Sequence, residues 1–138
     1  MAPIPVVIGV ADIKNKSRKL EDAIEPLKLM LQAVELALAD TNLSPTAAKK
    51  LQASVDSINV VANWTWPYPD VPKLLYKELG LKEGHKCSSE HGGNSPGKLF
   101  DEAARRISLG QTKVAVVTGG EALASRMFIL STIRLHIS

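Results

Sequence analysis

The sequence predicts an α/β domain with a mostly parallel sheet and helices on its faces. Short apolar runs of strand length occur at residues 5–10, 55–61 and 113–118. Segments with helical periodicity separate these runs, as in domains built from strand-helix-strand units. Apolar residues make up 45% of the 138 residues, enough for one domain with a real hydrophobic core.

Composition excludes several classes of protein. The formal net charge is +3 and 22% of the residues are charged, which fits neither a disordered polyelectrolyte nor a strongly basic nucleic-acid binder. Cys87 is the only cysteine, so the chain can form neither an internal disulfide nor a thiolate metal cluster. The N-terminus lacks a secretory signal pattern, and no apolar run is long enough to span a membrane. We therefore expect an intracellular protein without nucleic-acid partners.

The first half of the chain predicts two strands and two helices. Residues 5–10 are almost wholly apolar and predict a strand that is buried on both faces. A helix is expected over residues 26–40, with Pro26 in its first turn, and Ser44 is expected to cap a second, short helix. Residues 55–61 predict the second strand.

The second half continues the alternation. Asp70 is expected to cap a helix that runs to Leu79, and residues 85–89 predict a weaker third strand. Asn94 or Ser95 should cap the next helix, and the strand at residues 113–118 is the clearest in the chain. Gly80 and Gly110 are expected to end these two helices. Apolar residues are expected to form an inner stripe on the later helix: Leu99, Phe100, Ala103, Ala104 and Ile107.

The turn before the last predicted helix is a candidate binding site. Gly92, Gly93 and Asn94 would leave free backbone N–H groups at a helix N-terminus, which attract phosphate, carboxylate or a developing oxyanion. The glycines could equally serve only a tight turn. A dinucleotide fingerprint is absent after the first predicted strand, which argues against a nicotinamide or flavin cofactor.

Other polar residues are weaker candidates. Cys87 has His85 and His91 nearby, but no helix N-terminus lies beside it, so we interpret it as a buried, inert thiol. His136 shares no ligand spacing with the other two histidines, and we expect no metal site. Glu121 follows the last predicted strand and could be either a site acid or a helix-start acid.

A loop at residues 63–69 contains both tryptophans, Trp64 and Trp66, together with Tyr68. Such a cluster could stack on a base or cover a pocket, although no basic stripe surrounds it. A packed loop or a subunit contact is the commoner explanation.

Three segments together resemble the N-terminal half of the thiolase superfamily: residues 6–12, 29–58 and 92–121. The last is the most specific, since it joins a turn, a helix that ends at Gly110, and a strand followed by Gly119, Gly120 and Glu121. In thiolases this turn carries the catalytic cysteine in a C-x-S-G setting. Counting back along the helix from Gly110 puts that position at about Gly93.

This chain has no cysteine at the turn, and its Gly-Gly-Asn-Ser-Pro sequence is similar to thiolase-like proteins of type 1, often described as acetyl-CoA acetyltransferases. The resemblance implies acyl-CoA or CoA as substrate or ligand, with no further cofactor. It assigns no catalytic residue to this chain, which alone should not perform thiolysis. It points to substrate contacts from His91, Gly93, Asn94 and Ser95.

Thiolases contain two similar halves, and their catalytic histidine and second cysteine belong to the half that is missing here. We therefore interpret residues 1–125 as an incomplete N-terminal thiolase-like domain of a cytoplasmic or peroxisomal protein. Residues 126–138 depart from the family pattern, and a final amphipathic helix or an edge strand describes them equally well. The alternative function is a non-catalytic interaction or dimerisation module that forms a homo-oligomer.

Overall fold

The computed structural model describes residues 2–122, so the predicted tail at residues 126–138 lies outside the described residues. A 3-10 helix at Leu20–Asp22 precedes the main elements. These are, in chain order, α1 (Pro26–Asp40), α2 (Pro45–Ala53), β1 (Val55–Val60), α3 (Val71–Glu78), β2 (His85–Ser88), α4 (Ser95–Ser108) and β3 (Val114–Thr118). None of the helices within residues 2–122 is both long and apolar enough to cross a membrane.

The three strands form one parallel sheet in the order β2-β1-β3. Ser57 of β1 lies opposite His85 of β2 and Ala115 of β3. Parallel neighbours require crossover connections, which α3 and α4 provide. The α/β class and the parallel sheet predicted from the sequence are thus confirmed.

The hydrophobic core lies on one face of β1. Ile58 is fully buried there and packs with residues of α1 and α3, including Met30, Leu75 and Tyr76, which are also fully or almost fully buried. Alternate residues of a strand point to opposite faces, so Ser57 and Asn59 lie on the other face of β1. A central strand with two polar residues therefore separates the core from α4.

The predicted helix ends are confirmed. The Ser44 hydroxyl accepts from the backbone N–H of Ala47 at 3.3 Å, and the Asp70 carboxylate accepts from that of Lys73 at 3.2 Å. Past the ends of α3 and α4, the next glycines adopt the left-handed conformation that favours this residue: Gly80 at φ 68° and Gly110 at φ 72°.

The predicted strand at residues 5–10 is wrong. These residues form no strand, and Val6, Ile8 and Val10 are 71%, 52% and 67% exposed rather than buried. The segment instead runs along α1, where the Val10 N–H donates to the Asp40 carboxylate at 2.9 Å. A strand requires a neighbour for its backbone hydrogen bonds, and within residues 2–122 no strand lies beside this segment.

The predicted inner stripe of α4 is only partly correct. Leu99 and Ala103 are buried, but Phe100 is 54% exposed. Asn94 is the residue that caps α4, although its side chain makes no capping hydrogen bond. Ser95 lies inside the helix.

Asp70 predicts a specific dependence of stability on pH. Its carboxylate caps α3 and also pairs with the Lys86 ammonium at 2.8 Å, and the hydrogen bond from Lys86 lowers its pKa from 3.8. A carboxyl with a lowered folded pKa contributes stability above its unfolded pKa and loses it as the pH falls through the folded value. Because asparagine also caps helices, Asp70→Asn should keep the cap and remove only the pH-dependent part of the stability that Asp70 contributes.

Urea unfolding between pH 3 and pH 7 measures this effect. We expect Asp70→Asn to be less stable than the parent chain at pH 7 and equal to it at the acid end. Asp101→Asn, which breaks a far more exposed pair with Arg105, is the matched control. A constant difference between Asp70→Asn and the parent at every pH would contradict the prediction.

Candidate functional site

A cavity of about 670 Å³ opens where the carboxyl ends of β1 and β3 meet the turn before α4. This edge of a parallel α/β sheet is where ligands most often bind. Three segments line the cavity. After β1 these are Val61, Ala62 and Trp64, and from the turn and first residues of α4 they are Gly92, Gly93 and Pro96. The end of β3 and the residues after it contribute Val117, Thr118, Gly119, Gly120 and Glu121.

Two serines hold the turn before α4 in place. The Ser89 N–H donates to the Val60 carbonyl, and the Ser89 hydroxyl accepts from the Ala62 N–H, both at 2.9 Å. The hydroxyls of Ser89 and Ser95 both donate to the Glu90 carbonyl, at 2.9 and 2.7 Å. These bonds tie the turn to the end of β1, and the sequence analysis identified no role for Ser89.

The glycines of the site differ in the space around them. A Cβ atom on Gly93 would meet nothing within 4 Å. A Cβ on Gly119 would lie 3.0 Å from the Val61 Cβ, and one on Gly120 would lie 3.3 Å from the Met30 side chain. Close packing therefore explains Gly119 and Gly120, whereas Gly93 leaves open space beside the cavity.

Trp64 lines the cavity, and the His91 ring packs against its indole. Their ring centroids are 3.8 Å apart with an interplanar angle of 39°, and Trp64 remains 72% exposed. A large exposed aromatic surface beside a cavity is suited to stacking against a ligand.

The predicted substrate contacts divide into two groups. Gly93 lines the cavity and His91 packs on a residue that lines it. Asn94 and Ser95 belong to the same Gly-Gly-Asn-Ser-Pro segment but do not line the cavity, and the buried Ser95 hydroxyl is already bonded to the Glu90 carbonyl. Gly92 lines the cavity as well, as expected for the glycine turn.

Glu121 has a structural role that neither sequence interpretation anticipated. Its carboxylate accepts from the backbone N–H groups of Trp64, at 2.5 Å, and of Thr65, at 3.1 Å, and from the Thr65 hydroxyl. That hydroxyl also accepts from the N–H of Ala122 at 3.0 Å. The carboxylate thus fixes the loop that presents Trp64 to the cavity.

A polar row, buried at Ser57 and Asn59, crosses the sheet on the side of α4. The Asn59 amide donates to the Ser57 hydroxyl at 3.0 Å and to the Val116 carbonyl at 3.1 Å, and Ser57 meets the His85 Nδ1 at 2.9 Å. Burial, reinforced by the charge of Arg106, lowers the pKa of His85, which favours its neutral form. The row joins residues of three strands, so no local pattern in the sequence indicates it.

Cys87 lies opposite Asn59 in the sheet and does not line the cavity. The thiol is half-buried, and burial raises its pKa, with a further contribution from Glu102. A raised pKa disfavours the reactive thiolate. Across residues 2–122, no group of three or more histidine, cysteine or carboxylate side chains is arranged to hold a metal ion.

The fold defined by this sheet and its helices is thiolase-like, and the chain represents part of it. One similar solved structure is a monomeric SCP2-thiolase like protein type 1 from Mycobacterium smegmatis, with a TM-score of 0.67 and 19% identity over 86% of this chain. A second is OleA from Xanthomonas campestris with bound lauric acid and lauroyl-CoA, with a TM-score of 0.59 and 19% identity over 72% of this chain. A third is 3-oxoacyl-(acyl-carrier-protein) synthase III from Aquifex aeolicus, with a TM-score of 0.58 and 21% identity over 73% of this chain.

This chain spans only 23%, 28% and 31% of the lengths of those three proteins, respectively. No family model matches the sequence, and no curated protein matches it either. The resemblance to thiolases predicted from the sequence is confirmed at the level of a partial fold.

Proposed function

We propose that this chain contributes the CoA-thioester-binding turn of an acetyl-CoA acetyltransferase-like protein. The observation that carries the proposal is the cavity of about 670 Å³, which combines the Gly92 and Gly93 turn with the ends of two parallel strands in a thiolase-like fold. The name of one similar structure includes bound lauroyl-CoA, which supports a thioester of this class as the ligand.

The turn supports binding rather than covalent catalysis. Neither Gly93 nor Asn94 can form the thioester that a thiolase needs, and Cys87 lies outside the cavity with a raised pKa. We assign Gly93 and the N–H groups near it to the acyl carbonyl, and Trp64 with His91 to stacking. Asn94 and Ser95 support the turn, and no cofactor beyond the thioester is required.

The corresponding whole protein would act on acyl-CoA in lipid metabolism, in the cytoplasm or the peroxisome. Its remaining catalytic groups would come from the parts of the fold that this chain does not span.

Calorimetric titration of the chain with CoA and with acetyl-CoA tests the proposal. Trp64→Ala should weaken CoA binding by about tenfold, because an aromatic stacking partner contributes about 1–3 kcal/mol. Trp66 belongs to the same loop but does not line the cavity, so Trp66→Ala is the matched control.

Equal CoA affinity for Trp64→Ala and the parent chain would contradict the assignment of Trp64 to the CoA site. Absence of CoA binding by the parent chain at millimolar concentration would contradict the proposed function itself.

One observation favours the alternative of a non-catalytic interaction module. Apolar side chains near the N-terminus, Ile4, Val6 and Val7, are 79%, 71% and 60% exposed, and such patches often mark protein contacts. Association that rises with concentration in sedimentation, without stabilisation by CoA, would favour self-association over thioester binding.

A further inference from the structure

The hydrogen bonds of the polar row run in a fixed direction. The Asn59 amide donates its two hydrogens to the Ser57 hydroxyl and to the Val116 carbonyl. A carbonyl oxygen can only accept, so a flipped Asn59 amide would aim its own oxygen at another oxygen. That oxygen, the Asn59 Oδ1, is buried without a hydrogen-bond partner within residues 2–122. The row therefore cannot reverse its direction.

This direction determines the protonation state of the His85 ring. The Ser57 hydroxyl accepts from Asn59 and has one hydrogen of its own to donate. Ser57 is fully buried, and among the described residues the acceptor within reach of its hydrogen is the His85 Nδ1 at 2.9 Å. An accepting Nδ1 carries no hydrogen, so the ring is neutral and has its hydrogen on Nε2.

We propose that His85 is a pH-sensitive switch that sets how firmly β2 is held against β1 and, with β2, the turn that lines the cavity. Protonation at Nδ1 would point an N–H group at the hydroxyl hydrogen of Ser57. If Ser57 rotates to accept this N–H as well, its own hydrogen loses its acceptor. A buried donor is left unpaired in both cases, and separation of β2 from β1 relieves it.

Three elements place groups around His85. From α3, the Tyr76 hydroxyl donates at 2.8 Å to the backbone carbonyl of His85, not to its ring. Burial lowers the pKa of His85 from 6.5, and Arg106 of α4 acts in the same direction. Glu102 of α4 and Asp56 of β1 act in the opposite direction without outweighing them.

The lowered pKa gives the sign of the switch. A histidine whose pKa is lower in the folded state contributes stability that is fully present above its unfolded pKa of about 6.5. This stability is lost as the pH falls from there towards the folded value. Acidification below about pH 6.5 should therefore loosen β2, in a window that lies above that of the Asp70 carboxylate.

The position of β2 connects the switch to the candidate site. Within residues 2–122, β2 is an edge strand that pairs with β1 alone. Ser89 continues it, with its N–H donating to the Val60 carbonyl at 2.9 Å, and the chain then enters the turn of Gly92 and Gly93. Loosening of β2 should therefore loosen this turn. The switch does not rest on the proposed function, because it involves no ligand.

Nuclear magnetic resonance of the 138-residue chain tests the proposal. At about pH 7.5, the ring nitrogens of His85 should show an unprotonated Nδ1 and a protonated Nε2. Between about pH 7.5 and about pH 5, the amide protection factors of β2 should fall by at least about tenfold, the effect expected for one unpaired buried donor. Those of α1, which packs on the opposite face of the sheet, should fall less.

Two histidine variants separate this effect from general acid destabilisation. His85→Asn keeps an acceptor near the position of Nδ1 but cannot titrate, so protection of β2 should become independent of pH over this range. His91→Asn is the matched control, since His91 contacts Trp64 and not Ser57, and it should retain the fall seen in the parent chain.

A hydrogen on the His85 Nδ1 at about pH 7.5 would overturn the proposal, and this measurement needs no variant to fold. Equal protection of β2 in the parent chain at the two pH values would also overturn it, as would an undiminished fall in His85→Asn. CoA binding is measured separately by calorimetry at neutral pH, so failure of either proposal leaves the other intact.

Discussion

Gly93→Cys, in a Cys87→Ser background, should create a thiol that reacts with iodoacetamide more than about tenfold faster than the native Cys87 thiol. The Cβ of the new residue has open space around it, whereas burial raises the pKa of Cys87. The new thiol would also lie next to the start of α4, where free N–H groups stabilise a thiolate. The rate of alkylation at pH 7, followed by mass spectrometry, measures the effect.

The Gly93→Cys variant also tests whether CoA binds in the cavity. If CoA binds where we propose, it should slow alkylation at Gly93→Cys by about tenfold when present at ten times its Kd. Gly97→Cys is the matched control, since its Cβ is also in open space but Gly97 does not line the cavity. Equal protection of both thiols, or of neither, would contradict the assigned position of the ligand.

Leu75→Ala should lower the free energy of unfolding by about 2–5 kcal/mol. Leu75 of α3 is fully buried in the core cluster against β1, with Ile58 and Tyr76 as other members. Truncation removes apolar burial and leaves a cavity that a parallel sheet and its helices can only partly close. Chemical denaturation measures the difference.

Leu36→Ala is the matched control for this prediction. Leu36 also lies in a helix, α1, but it is 46% exposed, so the same truncation should cost less than about 1 kcal/mol. Similar losses for the two variants would mean that the core is not centred on the contact between α3 and β1.

Local signals in the sequence predicted most of the elements correctly. Ser44 and Asp70 marked helix starts because a short polar side chain accepts from the N–H groups of the first turn, and Gly80 marked a helix end because it tolerates positive φ. These preferences depend on a few neighbouring residues. The strands β1, β2 and β3 followed from apolar runs of the appropriate length.

The candidate site was predictable only in part, for a physical reason. Gly93 could be located because a glycine turn before a helix is a local pattern, and the resemblance to thiolases fixed its register. The contact of Trp64 with His91, and the bonds from Glu121 to Thr65, join residues far apart in the chain. No short-range pattern encodes such contacts.

The sequence by itself determined the composition of the elements: which residues form helices, where those helices begin and end, and that the turn lacks a cysteine. Only the tertiary structure decided which strands pair. Residues 5–10 have the composition of a buried strand, yet they are exposed, and within residues 2–122 no strand lies beside them. Helix formation satisfies backbone hydrogen bonds locally, whereas a strand depends on a partner strand that is often distant in the sequence.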